Sequence, residues 1–405
     1  MTTNVGASIR EITQAKETIA TRVAVAASRM TFMDNLRVFL TILVVMLHLA
    51  ITYGSEGSWF YTERPSTELA SILLTLFSGI CQFFFMGLFF LISGYFIPGS
   101  IDRKGSGKYI KDRLVRLGIP LVLFSLLVSP FTEYFKAATV YHSNPGSFVA
   151  FTMDFWKGGD YAPGPLWFVE VLLVFSLAYV LGRTILSWIE GPAAKSSPTS
   201  VNKPLTHAWI LAFILIVAPL NYIVRIFSPI GDEWQHIQLA FMPQYILMFS
   251  AGMLAYRRGW LSDLPSGIRK FWSAIAVLAM LALPVIMVLT GITEGDTALA
   301  GGLNWQSAVV SIWEPIYCVA MSILLLNIFQ RRFDRQGSLG RIMSKNAYSV
   351  YIIHPLVIIP GAYLLRSVSL DPLLKWALVS PILVALCFLV SHFLVRRIPM
   401  ADKIL

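Results

Sequence analysis

Asp34-Asn35-Leu36-Arg37-Val38-Phe39-Leu40-Thr41-Ile42-Leu43-Val44-Val45-Met46-Leu47-His48-Leu49-Ala50-Ile51-Thr52-Tyr53 is an apolar block with one cation near its start and one imidazole near its end. A helix of about 20 such residues crosses a hydrocarbon core of roughly 30 Å. The same kind of block recurs along the chain, at about 70–97, 113–131, 165–188, 207–228, 237–256, 271–291, 306–328, 347–366 and 373–396. Apolar runs without period-two alternation exclude a transmembrane β-barrel. The composition agrees: of 405 residues, 56% are hydrophobic and only 13% charged, and a soluble domain carries about 25% charged residues. The expected fold is an all-α, polytopic transmembrane bundle of about ten spans.

The net charge is +10. In a soluble protein that would suggest nucleic acid, but here the placement of the charges matters more than their sum. With the N-terminus in the cytoplasm, 26 of the 32 Lys and Arg fall on the inner side, and Arg64, Lys136, Lys157, Arg225, Arg366 and Lys375 do not. The positive-inside rule therefore predicts N-in and C-in. Residues 1–30 are polar and mildly basic and read as a cytoplasmic tail, which leaves 31–405 as one transmembrane domain. Gly191–Asn202 is a linker by composition, and about 132–164 reads as a long outer loop rich in aromatic residues. Cys81, Cys318 and Cys387 all lie inside apolar blocks, where a cysteine behaves as a small buried hydrophobe. No His or Cys spacing supports a metal site.

Ionisable groups inside spans are costly and mark candidate sites. Arg37 and His48 are eleven residues apart, which on a helix brings them to within about 20° of one face and roughly 16 Å apart in depth. That suits a long ligand with an anionic end at the inner surface and a reactive end deep in the membrane. A structural histidine with Arg37 as an interface anchor accounts for the same spacing. Lys111, Arg113 and Arg116 open the third span, with both guanidinium groups on one helical face, where they can grip phosphates. The positive-inside rule alone also puts basic residues there. Glu170 lies about one turn into the fourth span, at a depth that would let it orient His48 as a carboxylate does in a triad. An interhelical hydrogen bond is the bland alternative. In the ninth span Tyr351 and His354 share a face at i, i+3. Glu314 stands before Pro315, and His392 near the inner end of the last span reads as structural.

Together these landmarks resemble one family. Arg37-x10-His48, Ile92-Ser93-Gly94-Tyr95-Phe96, Arg113-Leu114-Val115-Arg116, Leu166-Trp167-Phe168 and Tyr348-Ser349-Val350-Tyr351-Ile352-Ile353-His354-Pro355 are similar to the acyltransferase-3 family of integral membrane acyltransferases. Within it, the Phe89–Phe96 and Arg116–Leu121 runs resemble the branch that modifies periplasmic glucans. The resemblance covers roughly 33–400 and implies a multi-pass protein of the bacterial inner membrane. It also implies O-acyl transfer from cytoplasmic acyl-CoA (acetyl-CoA or succinyl-CoA) to a hydroxyl of an extracytoplasmic acceptor, a glycan by that branch. No bound cofactor and no nucleic acid are implied; the surroundings are membrane lipid.

Carried over residue by residue, His48 is the general base and Arg37, Arg113 and Arg116 meet the acyl-CoA, with Lys111 adding positive field. Glu170 is a catalytic candidate on the physical argument alone, since relatives commonly have an apolar residue there. Asp34, Trp167, Tyr351 and His354 are candidate substrate or support residues. Some relatives carry a fused extracytoplasmic domain. Without one, the acceptor is presented directly or by a separate periplasmic partner. Tyr141, Phe155, Trp156, Tyr161 and Trp167 offer faces for sugar rings, and an interfacial aromatic belt explains them equally well. The competing function is a transporter or exporter of an anionic or acylated molecule, with Arg37, His48 and Glu170 lining a pathway. Against it stands the absence of an internal repeat or paired broken helices.

Overall fold

A computed structural model describes residues 30–63, 67–190, 204–261, 264–292 and 295–404. The expected tail and the Gly191–Asn202 linker lie outside these residues, apart from Met30. Among the described residues ten helices are long and apolar enough to cross a membrane, and none forms a strand. The spanning elements are α1 (Thr31–Tyr53), α2 (Glu68–Lys104), α3 (Ser106–Thr139), α5 (Trp167–Glu190), α6 (His207–Phe227), α7 (Met242–Arg258), α8 (Ser266–Leu289), α9 (Trp305–Arg332), α10 (Ser338–Leu364) and α11 (Pro372–Phe393). One end of the bundle collects Arg37, Arg113, Arg116, Arg257, Arg258 and Arg331, and is called the basic end below. The outer loop expected over 132–164 is shorter. Helix α3 runs on to Thr139, and a separate helix α4 (Phe148–Gly158), started by the Ser147 hydroxyl, fills much of the remainder.

Helices α1 and α9 form the interior: 67% and 72% of their spans are buried, against 28% for peripheral α8. α1 packs on α2, α9, α10 and α11. The closest seam joins α2 to α7, and two glycines make it. A Cβ on Gly94 would lie 2.1 Å from the Phe249 carbonyl oxygen, and one on Gly252 would lie 2.1 Å from that of Leu91. Small residues let membrane helices approach backbone to backbone, where dispersion replaces the missing hydrophobic drive.

Prolines shape the spans in a second way. Proline has no N–H, so the carbonyl four residues earlier loses its helical donor, and in hydrocarbon an unpaired carbonyl costs several kcal/mol. In α3, wide π turns at Leu114–Gly118 and Phe124–Val128 come just before Pro120 and Pro130. The two freed carbonyls take side-chain donors. Arg116 accepts from the Tyr348 hydroxyl at 2.7 Å, and Leu126 accepts from Trp156 Nε1 at 3.0 Å.

Arg225, counted among the outer charges from the sequence, is instead fully buried. The last turn of α6 carries it into the bundle against Glu314 of α9, which is also fully buried. Gln244 Nε2 donates to Glu314 Oε1 at 2.9 Å, and Arg225 Nη1 donates to Ser311 Oγ at 3.2 Å. A cation at a helix end reads as an interface charge unless its partner on a distant helix is known. Cys81, Cys318 and Cys387 are buried free thiols, as their blocks predict.

Two stability outcomes follow from this packing. Gly252→Val forces the α2–α7 seam apart and lowers the melting temperature in detergent by an amount matching about 1–3 kcal/mol, whereas Gly182→Ala, with open space around it, leaves it unchanged. Arg225→Ala strands a buried carboxylate at a cost of about 3–5 kcal/mol, and Arg225→Met combined with Glu314→Leu restores most of that loss. Thermal unfolding of the purified variants checks both.

Candidate functional site

The site grows from the pair His354-Pro355 in α10. Pro355 supplies no N–H to the Tyr351 carbonyl, and that oxygen accepts from the ring of His354 itself, Nδ1 to oxygen 2.7 Å. A carbonyl can only accept, so His354 Nδ1 carries the proton and, in the neutral ring, Nε2 carries the lone pair. His48 Nδ1 of α1 lies 3.1 Å from that Nε2. The bond therefore requires the His48 proton on Nδ1 and leaves the lone pair of His48 on Nε2. His354 is fully buried and His48 half-buried, so the accessible member of the pair is the one with an uncommitted lone pair. One proline thus orders the protons through two rings. The Tyr351 ring neighbours that of His354, centroids 6.1 Å apart, and its hydroxyl donates to the Pro165 carbonyl before α5.

A strap covers the pair. After α1 the chain turns at Gly54 and Gly57, both at positive φ (135° and 140°) where a side chain would be strained. It then folds back through backbone bonds Ser55 to Ala50 (2.9 Å) and Glu63 to Thr52 (2.7 Å). Lys375, buried in α11, grips Glu63 at 2.5 Å, and Ser55 Oγ donates to Ser78 Oγ at 2.8 Å. The strap lays the Trp59 ring on His48, centroids 3.9 Å apart and 20° from parallel, with Phe60 beside it. Trp59 is 5% exposed. Sequence reasoning missed it because its proximity depends on the fold-back.

At the basic end the candidates gather around the same two helices. Arg37 lies 3.5 Å from Asp34 and 4.6 Å above the Phe96 ring. Asn35 Nδ2 donates to the carbonyls of Phe333 (2.7 Å) and Arg335 (3.1 Å), which pins the start of α1. Arg113 and Arg116 both act electrostatically on Tyr348, two turns from His354 on α10. The π turn around Arg116 splays these arginines further apart than the α-helical spacing read from sequence. Lys111 is exposed. Since α1 packs on α10, Arg37 and the two imidazoles occupy successive levels of one helix pair, and Arg113 and Arg116 approach α10 from α3.

Glu170 is not where the triad argument put it. The partner of His48 is His354, and Glu170 Oε2 instead lies 2.8 Å from His236 Nε2. Tyr161 stands edge-on to His236 and bonds to Glu170. Partial burial, then the Glu170 carboxylate, push the Tyr161 hydroxyl up to about 12, so it remains a donor at neutral pH. His236 sits in a tight turn closed by reciprocal Trp234–Ile237 backbone bonds of 2.9 and 3.0 Å. Both Gln235 (φ 45°) and His236 (φ 66°) adopt the left-handed conformation, a strain of roughly 1–3 kcal/mol per residue. Nothing periodic in Trp234-Gln235-His236 marks this residue in the sequence.

Of the aromatic candidates, Tyr141, Trp156 and Tyr161 are exposed, whereas Phe155 is buried, and Trp167 stacks on Tyr245 with centroids 5.8 Å apart. A cavity of about 300 Å³ lies away from the histidines, between α6, α7 and α9.

The acyltransferase-3 model, described as an acyltransferase domain, matches residues 30–392. The chain is similar to the glucans biosynthesis protein C of Salmonella heidelberg (strain SL476), of Salmonella paratyphi B (strain ATCC BAA-1250 / SPB7) and of Salmonella dublin. Each is 24% identical over 358 residues, which cover 85% of this chain and 87% of the relative. No solved structure matches it.

Proposed function

The chain belongs to the acyltransferase-3 family, and from that premise we propose that it moves an acyl group from cytoplasmic acyl-CoA to a hydroxyl of an extracytoplasmic glycan, with His48 as general base. The observation that carries this reading is the ordered chain Tyr351 carbonyl–His354–His48, which leaves the lone pair of a half-buried imidazole available on the helix that also bears Arg37. The glycan acceptor is supported by the name of the relatives, glucans biosynthesis protein C. The basic end, placed in the cytoplasm by the charge rule, meets the phosphates of CoA through Arg37, Arg113 and Arg116.

In the reaction, His48 Nε2 takes the proton of the acceptor hydroxyl as its oxygen bonds to the thioester carbonyl carbon. The resulting cation spreads over both rings through the His48–His354 bond. Collapse of the tetrahedral adduct breaks the carbon–sulfur bond, and the imidazolium returns the proton to the leaving CoA sulfur. Nothing is oxidised or reduced. His354 is a positioning residue: it holds the His48 tautomer without touching the reactants. At the opposite end the acceptor lies against Glu170, His236 and Tyr161, which together offer a carboxylate, an imidazole and a phenol for sugar hydroxyls and an aromatic face for the ring.

The decisive measurement is CoA release from acetyl-CoA and succinyl-CoA by purified protein in nanodiscs, with and without glucan acceptors. His48→Ala lowers acceptor-dependent release by about 10²–10⁴-fold while CoA still binds, and the Arg113→Ala, Arg116→Ala double variant raises KM for the thioester. Release that persists undiminished in His48→Ala excludes the base. On the acceptor side, Glu170→Gln and His236→Ala raise KM for the glycan about tenfold, as losing a charged hydrogen bond does, and leave KM for the thioester unchanged. An equal rise in both constants points to general damage instead.

A further inference from the structure

We propose that the cleft between α6, α7 and α9 at the basic end binds an anionic phospholipid, with one acyl chain in the cavity and the phosphate on Arg258. The cavity holds about 300 Å³, and Phe213, Met248, Leu254 and Leu326 are among the residues that wall it. It carries two hydroxyls, and both are already spent on their own helices: Ser250 Oγ donates to the Ile246 carbonyl at 2.8 Å and Ser322 Oγ to that of Cys318 at 2.7 Å. The walls are otherwise almost wholly apolar, so a polar solute gains little there and hydrocarbon loses little. From Leu247 to Ala255 the lining of α7 extends about 12 Å along its axis, much of the depth of one leaflet, which is about half of a 30 Å core.

A cation stands beside the cavity: Arg258 is not one of its walls but lies against Trp209 and Trp260, which are. Helix α7 ends at Arg258, where Gly259 at φ 69° turns the chain so that Trp260 folds back. The guanidinium lies 5.1 Å from the Trp209 ring centroid and 5.9 Å from that of Trp260. Arg258 Nη1 is buried and has no hydrogen-bond partner among the described residues. A buried, unmatched N–H of a cation is costly, and a phosphate oxygen at the head of a chain lying in the cavity satisfies it. Guanidinium suits phosphate, and indoles suit the headgroup level of a bilayer. The occupant is a bilayer lipid rather than the acyl donor of the proposed reaction. No wall of the cleft comes from α1 or α10, which carry the imidazoles.

The test is lipid retention by the full chain, read by native mass spectrometry after reconstitution with phosphatidylglycerol and phosphatidylcholine in equal amounts and extraction into mild detergent. One phosphatidylglycerol stays bound per chain in preference to phosphatidylcholine. Arg258→Ala reduces its retention about tenfold, the loss of one charge-assisted contact. Ala212→Trp, which fills the cavity with the cation intact, removes both lipids. Thermal unfolding of the delipidated proteins identifies a variant that has merely misfolded, and Arg258→Ala alone then decides. Equal retention of the two lipids, or phosphatidylglycerol retention unchanged by Arg258→Ala, overturns the proposal. So does displacement of the lipid by acyl-CoA, which would assign the cleft to the donor.

Discussion

A carbonyl that loses its helical partner inside a membrane must find another donor, and the organisation of this protein depends on that constraint. Pro355 frees the Tyr351 carbonyl, which fixes the ring of His354, which in turn fixes the proton on His48. Pro120 frees the Arg116 carbonyl, and Tyr348 of the same α10 takes it, tying the basic end of α3 to the helix of the histidines. Pro130 frees the Leu126 carbonyl for Trp156 of α4. Prolines that in water would only interrupt helices here produce tertiary cross-links, because hydrocarbon offers no competing water.

The same economy explains the ion pairs inside the bundle. Arg225 and Glu314 are bearable together because Gln244 and Ser311 add hydrogen bonds to the pair. Such a pair adds little net stability over a well-packed apolar pair, but it resists every misaligned arrangement of α6 and α9 that would separate the charges. With the glycine seam of α2 and α7, it gives the bundle a firm half, against which α1, α10 and their strap are set.

Much of this was legible in the residues alone. Apolar blocks of spanning length located all ten helices, and the order of landmarks from Arg37 to His354 carried the family. Partnership was harder to read. His48 and His354 are 306 positions apart, and no helical period joins two different helices. The triad analogy assigned Glu170 to His48 from depth alone, but depth does not say which way a side chain faces, and Glu170 faces His236. Trp59 and His236 come from segments between spans, whose positions depend on fold-back and strained turns rather than on periodicity. Yet one clue stood in plain view: His354 is followed by proline, and the free carbonyl one turn behind it follows from covalent structure.

The strap over His48 also bears on membrane energetics. Two imidazoles in contact can pass a proton between them, and a relay open at once to both aqueous compartments would short-circuit the ion gradient, which stores about 2.3 kcal/mol per charge for each 100 mV. The buried Trp59 indole lies flat on the His48 end of the relay, a ring that neither conducts nor hydrates. Residues 54–63 thus set an apolar cover against the paired rings, which keeps water from that face of the relay.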